Sequence, residues 1–219
     1  GIGFGAWDSP LAMDDTVRQI RLPRIYTALL VGAGLAASGA ALQALFENPL
    51  ADPSLIGTSG GAALGVISVI ALGGGAVSVP VAAFGGALGV CLLILAVHRL
   101  VSGGTLGLLV LGFVLSAFAG AAVSMIMFLA DDETLRSATN WLAGSLSEAG
   151  FASPALALCS MLPGFALLLL AGRRLDVLMT GEDTAVSMGV SVGRVRVQTV
   201  IGAALMTGGA VSLAGVIGF

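Results

Sequence analysis

Long apolar stretches separated by short polar breaks dominate this chain. A helix rises about 1.5 Å per residue, so ~20 residues cross a hydrocarbon core of roughly 30 Å. The second stretch, of about 18 residues, is the weakest candidate by length. The pattern predicts an all-α protein, a polytopic bundle of transmembrane helices in which 1–219 form a single domain. The six candidate spans are 26–46, 56–73, 77–97, 106–130, 152–171 and 197–217.

The break between the first two stretches carries two Xaa-Pro pairs, Asn48-Pro49 and Asp52-Pro53. Proline lacks a backbone donor and pushes the preceding residue out of the helical region. The break therefore predicts a rigid hairpin between two spans.

The connector 131–151 is polar at first and amphipathic afterwards. Leu135, Trp141, Leu142 and Leu146 recur near the helical period. This spacing predicts a short helix that lies at the membrane surface.

The connector 172–196 has the signals of a helix-turn unit that projects from the membrane. Thr180 followed by Asp183 resembles a capping box, and Gly189 is placed to end a helix of about two turns. A solvated loop that happens to be helical explains the pattern equally well. The functional interpretation is a docking element for a soluble partner.

Composition places the chain in a membrane. It is 57% hydrophobic and 10% charged, with a mean hydropathy of +1.06, whereas soluble domains average about 25% charged residues. The 33 glycines suit close helix packing in lipid. The net charge of −3 gives no reason to expect nucleic acid as a partner.

The nine basic residues are all arginine, and they fall on both sides of the predicted membrane. Five lie on the side of 47–55, 98–105 and 172–196, and four lie on the other. The positive-inside rule weakly favours the side with five arginines as the cytoplasmic side. Arg21 and Arg24 then lie outside, against the usual bias, and a residue that breaks a local rule suggests a function.

Catalytic chemistry has little support in the sequence. The two cysteines, Cys91 and Cys159, sit in apolar runs and are best read as small buried hydrophobes. His98 stands beside Arg99 at the end of a span, where a satisfied or solvated surface histidine is favoured over an iron or haem ligand. No phosphate-binding GxxxxGK[ST] loop occurs in the chain. We therefore expect no enzyme activity, no cofactor and no metal site.

Several motifs occur together in the order and spacing of one family. They are RLPR at 21–24, NPLADP at 48–53, SGGA at 59–62, WLAGSL at 141–146, and Gly181-Glu182 with Ala185 and Gly189. With them the chain resembles the membrane subunit of bacterial iron-chelate and cobalamin ABC importers, often called FecCD-type permeases. These permeases usually have ten spans, so the resemblance implies a fragment that lacks the first span and the last three. Residues 1–19 would be a loop between spans.

The resemblance implies partners on both sides of a bacterial inner membrane. Arg21 and Arg24 would dock glutamates of a periplasmic substrate-binding protein. The connector 172–196 would hold the cytoplasmic coupling helices that fit an ATP-binding cassette ATPase subunit. A second permease copy would complete a homodimer. The coupling residues it implies are Gly181, Glu182, Ala185 and Gly189.

The same resemblance implies a translocated cargo, either an iron chelate (ferric siderophore or haem) or cobalamin. Polar residues inside spans are costly in lipid, which makes Gln43 a candidate for the translocation path. Arg136 and Asn140, near the outer mouth, could meet an anionic chelate. Most polar residues in such helices only bond their own backbone, and this alternative stays open.

A secondary transporter driven by an ion gradient is the competing hypothesis. That class usually places a charged residue or a broken helix at mid-membrane. No Asp, Glu, Lys, Arg or His lies deep in the six stretches, which argues against a proton relay. A membrane anchor or a membrane enzyme is a third and weaker alternative.

Overall fold

The computed structural model describes residues 17, 21–75, 78–100, 103–146 and 154–217. Within these ranges every regular element is helical, which confirms the all-α prediction. A 3₁₀ turn, Pro53–Ile56, lies between the first two α-helices. The α-helices are α1 Leu22–Phe46, α2 Thr58–Ala71, α3 Ser78–Leu100, α4 Gly104–Leu129, α5 Asp132–Leu142, α6 Pro154–Leu178, α7 Glu182–Ser187 and α8 Val192–Ala214.

Five of the helices are long and apolar enough to cross a membrane, namely α1, α3, α4, α6 and α8. The remaining predicted span, 56–73, is the 14-residue helix α2, which covers only about 21 Å. The fifth predicted span also ends later than expected. Helix α6 continues to Leu178, so that Arg173 and Arg174 lie on its last two turns and not in a connector.

Helix α2 is short because the hairpin before it re-enters the bundle. The backbone of Leu55 presses against Gly112, where a Cβ would collide with the Leu55 carbonyl oxygen. Gly112 lies about two turns into α4, roughly 12 Å along its axis. Ile56 and Thr58 are fully buried, and the Thr58 hydroxyl donates to the Pro53 carbonyl over 2.8 Å. Non-helical backbone at membrane depth is tolerated because protein surrounds it.

Helix α8 is the centre of the bundle. Its most apolar window is 78% buried, against 22% for α4, and it packs on α1, α3 and α6. A buried polar contact adds to the packing, since the Thr207 hydroxyl donates to Ser38 Oγ over 3.1 Å. Ser38 in turn donates to the Gly34 carbonyl over 2.8 Å. This chain of hydrogen bonds satisfies both hydroxyls and fixes α8 against α1.

Helices α2 and α3 approach each other at a pair of glycines. A Cβ on Gly86 would collide with the carbonyl oxygen of Gly61, and a Cβ on Gly61 would collide with that of Gly86. The absence of both side chains brings the two backbones into direct contact. This contact holds the short α2 in the bundle.

We expect Gly86→Ala to lower the free energy of unfolding by about 1–3 kcal/mol, because the new methyl group forces the two backbones apart. The control is Gly85→Ala on the same helix, where a Cβ meets nothing within 4 Å. That variant should be neutral or slightly stabilising, since alanine favours a helix by up to about 1 kcal/mol. Thermal unfolding of the full-length protein in detergent measures both. Equal unfolding midpoints for the two variants would contradict the close contact.

Candidate functional site

The helices place the two sets of connectors at opposite ends of the bundle. One end, called here the α7 end, contains the ends of α3 and α6, the beginnings of α4 and α8, and α7 itself. The other, the α5 end, contains the beginning of α1, helix α5 and the end of α8. At the α5 end the Ser145 N–H donates to the Ala214 carbonyl over 2.7 Å. The division matches the sidedness expected from the sequence.

Two glycines define the ends of α7. Gly181 precedes the helix with φ +107°, and Gly189 follows it with φ +81°. The prediction that Gly189 ends the helix is correct, since its N–H donates to the Val186 carbonyl over 2.9 Å. The predicted capping box is wrong. The Thr180 hydroxyl donates back to the Val177 carbonyl of α6 over 2.7 Å, and the N-cap is Gly181, without a side-chain bond.

Glu182 lies in a three-residue contact that joins α7 to α4 and α8. Its carboxylate accepts from the Thr105 hydroxyl over 3.1 Å and forms an ion pair with Arg196. Arg196 Nε also donates to Thr105 Oγ1 over 2.8 Å. The Arg196 side chain is 13% exposed and that of Glu182 is 49% exposed. We call this set the Glu182 cluster.

The sequence pattern did not indicate that Thr105 and Arg196 belong to this site. They are 77 and 14 residues away from Glu182, and no spacing rule connects them. The sequence contained one weak indication that Arg196 has a carboxylate partner. An arginine near the beginning of a helix opposes the helix dipole and so needs a nearby carboxylate.

The two faces of α7 differ in their surroundings. Ala185 is fully buried and packs with the core of the bundle. Val186 and Met188 are 62% and 65% exposed, respectively. The exposed side of α7 therefore carries these two apolar side chains beside exposed polar ones such as Asp183 and Ser187, and Ala185 does not belong to it.

Helix α5 confirms that part of 131–151 is helical, and its position at the membrane surface stays a prediction. The Asp131 carboxylate caps it by accepting from the Thr134 N–H over 3.0 Å. Hydrogen bonds from the hydroxyl and the backbone N–H of Thr134 lower the pKa of Asp131 below its ordinary value. The cap is therefore charged near neutral pH and is lost only as pH falls through that lowered value. The last residues of the predicted stretch, 147–151, lie outside the described residues.

The three candidate path residues are not brought together. Arg136 and Asn140 are exposed and line one cleft of about 340 Å³ along α5. Gln43 is half-buried near the end of α1, at the α7 end of the bundle. Any path that includes all three must run the length of the bundle.

Arg21 and Arg24 are exposed at the beginning of α1, on the same end as α5. Their spacing of three residues places them on one helix face. Positive charge at a helix N-terminus is unfavourable with respect to the helix dipole. Two arginines at this position thus oppose the dipole.

His98 differs from the satisfied or solvated surface histidine expected from the sequence. It is half-buried, and its Nδ1 atom is buried without a hydrogen-bond partner within the described ranges. A Cβ at Gly107 on α4 would lie 3.5 Å from that nitrogen, an ordinary van der Waals distance. The nitrogen therefore lies between α3 and α4.

Comparison with known proteins decides the family. Residues 6–219 match the FecCD transport family. The chain belongs to this family. The resemblance drawn from the sequence motifs is confirmed.

Three FecCD-type relatives show what the chain is similar to. It is 38% identical to the hemin transport system permease protein of Yersinia pestis, over 92% of this chain and 62% of that protein. It is 37% identical to the vitamin B12 import system permease protein of Vibrio cholerae, over 99% of this chain and 65% of that protein. A probable iron chelatin transport system permease protein of Helicobacter pylori is 36% identical over 93% of this chain and 62% of its own length. The chain thus spans less than two thirds of each relative.

A solved structure shares the fold. A metal-chelate type ABC transporter in an inward-facing conformation matches with a TM-score of 0.81 and 30% identity. The match covers 96% of this chain and 68% of that one. The arrangement of helices is therefore that of a multi-pass membrane transport subunit.

We expect Glu182→Gln to loosen α7 from the beginnings of α4 and α8, because the ion pair with Arg196 is lost. A partly exposed pair contributes at most about 1 kcal/mol, so backbone amides of 181–189 should exchange about fivefold faster. The control is Asp183→Asn, the neighbouring carboxylate, for which the described structure shows no side-chain partner. Hydrogen–deuterium exchange of the full-length protein tests this. Equal acceleration in both variants would mean that the Glu182 cluster does not hold α7.

Proposed function

We propose that this chain is part of the permease subunit of a bacterial ABC importer, which moves an iron chelate, haem or cobalamin across the inner membrane. The match of residues 6–219 to the FecCD transport family carries the proposal. Three similar proteins are named for transport of hemin, vitamin B12 and an iron chelate. This agreement supports the importer over an ion-gradient transporter. A separate ATPase subunit would hydrolyse the ATP, and this chain would contribute no catalytic site.

The ATPase subunit would bind at α7. Val186 and Met188 form an exposed apolar surface at the tip of the α7 end, as a helix that fits a groove on a partner requires. Gly181 and Gly189 shape the turns on either side of it. The segment 172–196 thus divides into the end of α6, the coupling helix α7 and the beginning of α8.

Motion of α7 would reach the membrane through the Glu182 cluster. Arg196 is on the first turns of α8 and Thr105 is on the first turn of α4. Ala185 packs against the bundle from the same side of α7. When ATP draws the two ATPase subunits together, α7 would carry α8 and α4 with it and tilt the spans between two states.

The substrate-binding protein would dock at Arg21 and Arg24. Both are exposed at the α5 end, opposite to α7 as an importer requires. Arginine–carboxylate pairs are directional and set register and association rate more than affinity. Released cargo would then pass α5, where Arg136 and Asn140 would contact an anionic chelate, and would pass Gln43 near the other end.

A second copy of the permease would complete the path. Helix α4 is the least buried of the five long helices, and it exposes the large apolar side chains of Phe113 and Phe118. Such a surface fits a protein partner in the membrane or the lipid tails themselves. The homodimer would place the path between the two chains.

Charge reversal of both arginines, Arg21→Glu with Arg24→Glu, should weaken binding of the cognate substrate-binding protein by at least tenfold, because attraction becomes repulsion. Binding of the purified proteins at low and high salt measures this effect, which should shrink at high salt. The control is Arg173→Glu, at the α7 end. A double variant that binds as tightly as the unchanged protein would refute the docking assignment.

Reconstitution in liposomes tests the function itself. The full-length permease, its ATPase subunit and its binding protein should take up one of three cargoes, ferric siderophore, haem or cobalamin, only with ATP. Val186→Asp should reduce that uptake at least tenfold and release the ATPase subunit, because it places a charge in the apolar contact. Val186→Leu, which keeps the surface apolar, should retain uptake. Uptake that needs no ATP and collapses with an ionophore would establish the ion-gradient alternative.

A further inference from the structure

A cleft at the α7 end lies beside the Glu182 cluster and shares Arg196 with it. It measures about 460 Å³ and lies between the end of α3 and the beginnings of α4 and α8. Leu95, Leu108 and Val197 give it aliphatic walls. Arg99, Arg194 and Arg196 also line it.

The cleft has an excess of positive charge. Arg196 is balanced by Glu182, but Arg99 and Arg194 have no carboxylate partner within the described ranges. None of the described residues that line the cleft is acidic. The Nδ1 atom of His98, which also lines it, is buried and has no hydrogen-bond partner in the described part of the chain. Like charges gathered at one place repel each other unless an anion separates them.

The beginning of α8 adds to the positive electrostatic potential of the cleft. Its first turn contains no acidic residue, and the Ser191 side chain does not cap it. The free N–H groups and the dipole of a helix N-terminus favour an anion. Arginine adds planar donors that match phosphate geometry with two parallel hydrogen bonds.

The position of the cleft favours a lipid as the source of that anion. It opens at the ends of membrane-spanning helices, where headgroups lie. Leu92 is two turns from Arg99 on the same face of α3 and is exposed, so the apolar wall continues from the cleft to the surface that faces lipid tails. A free anion would bind the arginines but would make no contact with this apolar wall. Basic pockets between transmembrane helices are typical sites for anionic lipid headgroups.

We propose that this cleft binds an anionic phospholipid, with its phosphate between Arg99 and Arg194 and an acyl chain along Leu95 and Leu92. The lipid would offset the repulsion between these arginines and hold α3 to α8. It would do so beside the Glu182 cluster, so the lipid composition of the membrane would affect the rigidity of the α7 end.

Native mass spectrometry of the full-length permease with its ATPase subunit tests the proposal by lipid titration. Phosphatidylglycerol should bind, and phosphatidylcholine, which has no net charge, should bind at least tenfold more weakly. The double variant Arg99→Gln with Arg194→Gln should weaken phosphatidylglycerol binding about 25-fold, at about fivefold for each arginine near the membrane surface. Arg173→Gln, an exposed arginine at the same end and outside the cleft, should leave binding unchanged.

Several outcomes would overturn the proposal. Equal binding of the two lipids, or unchanged binding by the double variant, would show that the cleft does not select an anionic headgroup. Inorganic phosphate that competes at the same concentration as the lipid would show a free-anion site instead. The experiment measures lipid binding alone. Its result therefore holds even if the permease transports none of the three cargoes.

Discussion

The burial of α8 is the constraint on which the rest of the structure depends. The helix is enclosed by α1, α3 and α6, so its polar side chains can find partners only inside the protein. Thr207 finds one in Ser38 on α1, whereas the buried Thr199 Oγ1 has none among the described residues. Small residues along α8 allow this enclosure, since Gly202 and Gly209 leave room for the side chains of Leu168 and Met161 on α6. A buried central helix moves only with its neighbours, which makes it a suitable element for transmitting a displacement.

The Glu182 cluster connects this central helix to the surface. It consists of an ion pair and a shared hydroxyl at the beginning of α8, so a force applied to α7 acts directly on the most buried element. The ion pair is only half shielded from water, and its contribution to stability is small. Its role in this account is geometric, because it fixes α7 in one orientation with Ala185 inward and Val186 outward. Without the ion pair, α7 would be held by the packing of Ala185 in the core and by the turns at Gly181 and Gly189.

The long apolar helices could be predicted from the sequence because hydropathy and length determine them locally. The helical state of α5 and the stop at Gly189 were predictable for the same reason. Helix α2 was predicted too long, because its first turn lies inside the bundle and the close approach of Leu55 to Gly112 is visible only in three dimensions. The capping role given to Thr180 failed because its hydroxyl finds a carbonyl of the preceding helix instead.

Site residues were less predictable than the fold. Glu182 and Ala185 belong to the segment that the motif indicates, but packing decides that Ala185 is buried while Glu182 is half exposed. Their coupling role stays a prediction. Thr105 and Arg196 come from distant parts of the chain, and no local pattern joins them to Glu182. The positions of Arg21 and Arg24 could be predicted, since they follow from the order of the spans and from the beginning of α1.

The most direct test of the account is a pair of electron cryomicroscopy structures of the full-length permease with its ATPase subunit in lipid nanodiscs, one without nucleotide and one with ATP bound. We expect α7 and the beginning of α8 to move as one body, with the Glu182–Arg196 ion pair intact in both states and the ATPase subunit bound at Val186 and Met188. If α7 shifts relative to α8 and the ion pair breaks while the spans still tilt, the proposed transmission through α8 is wrong.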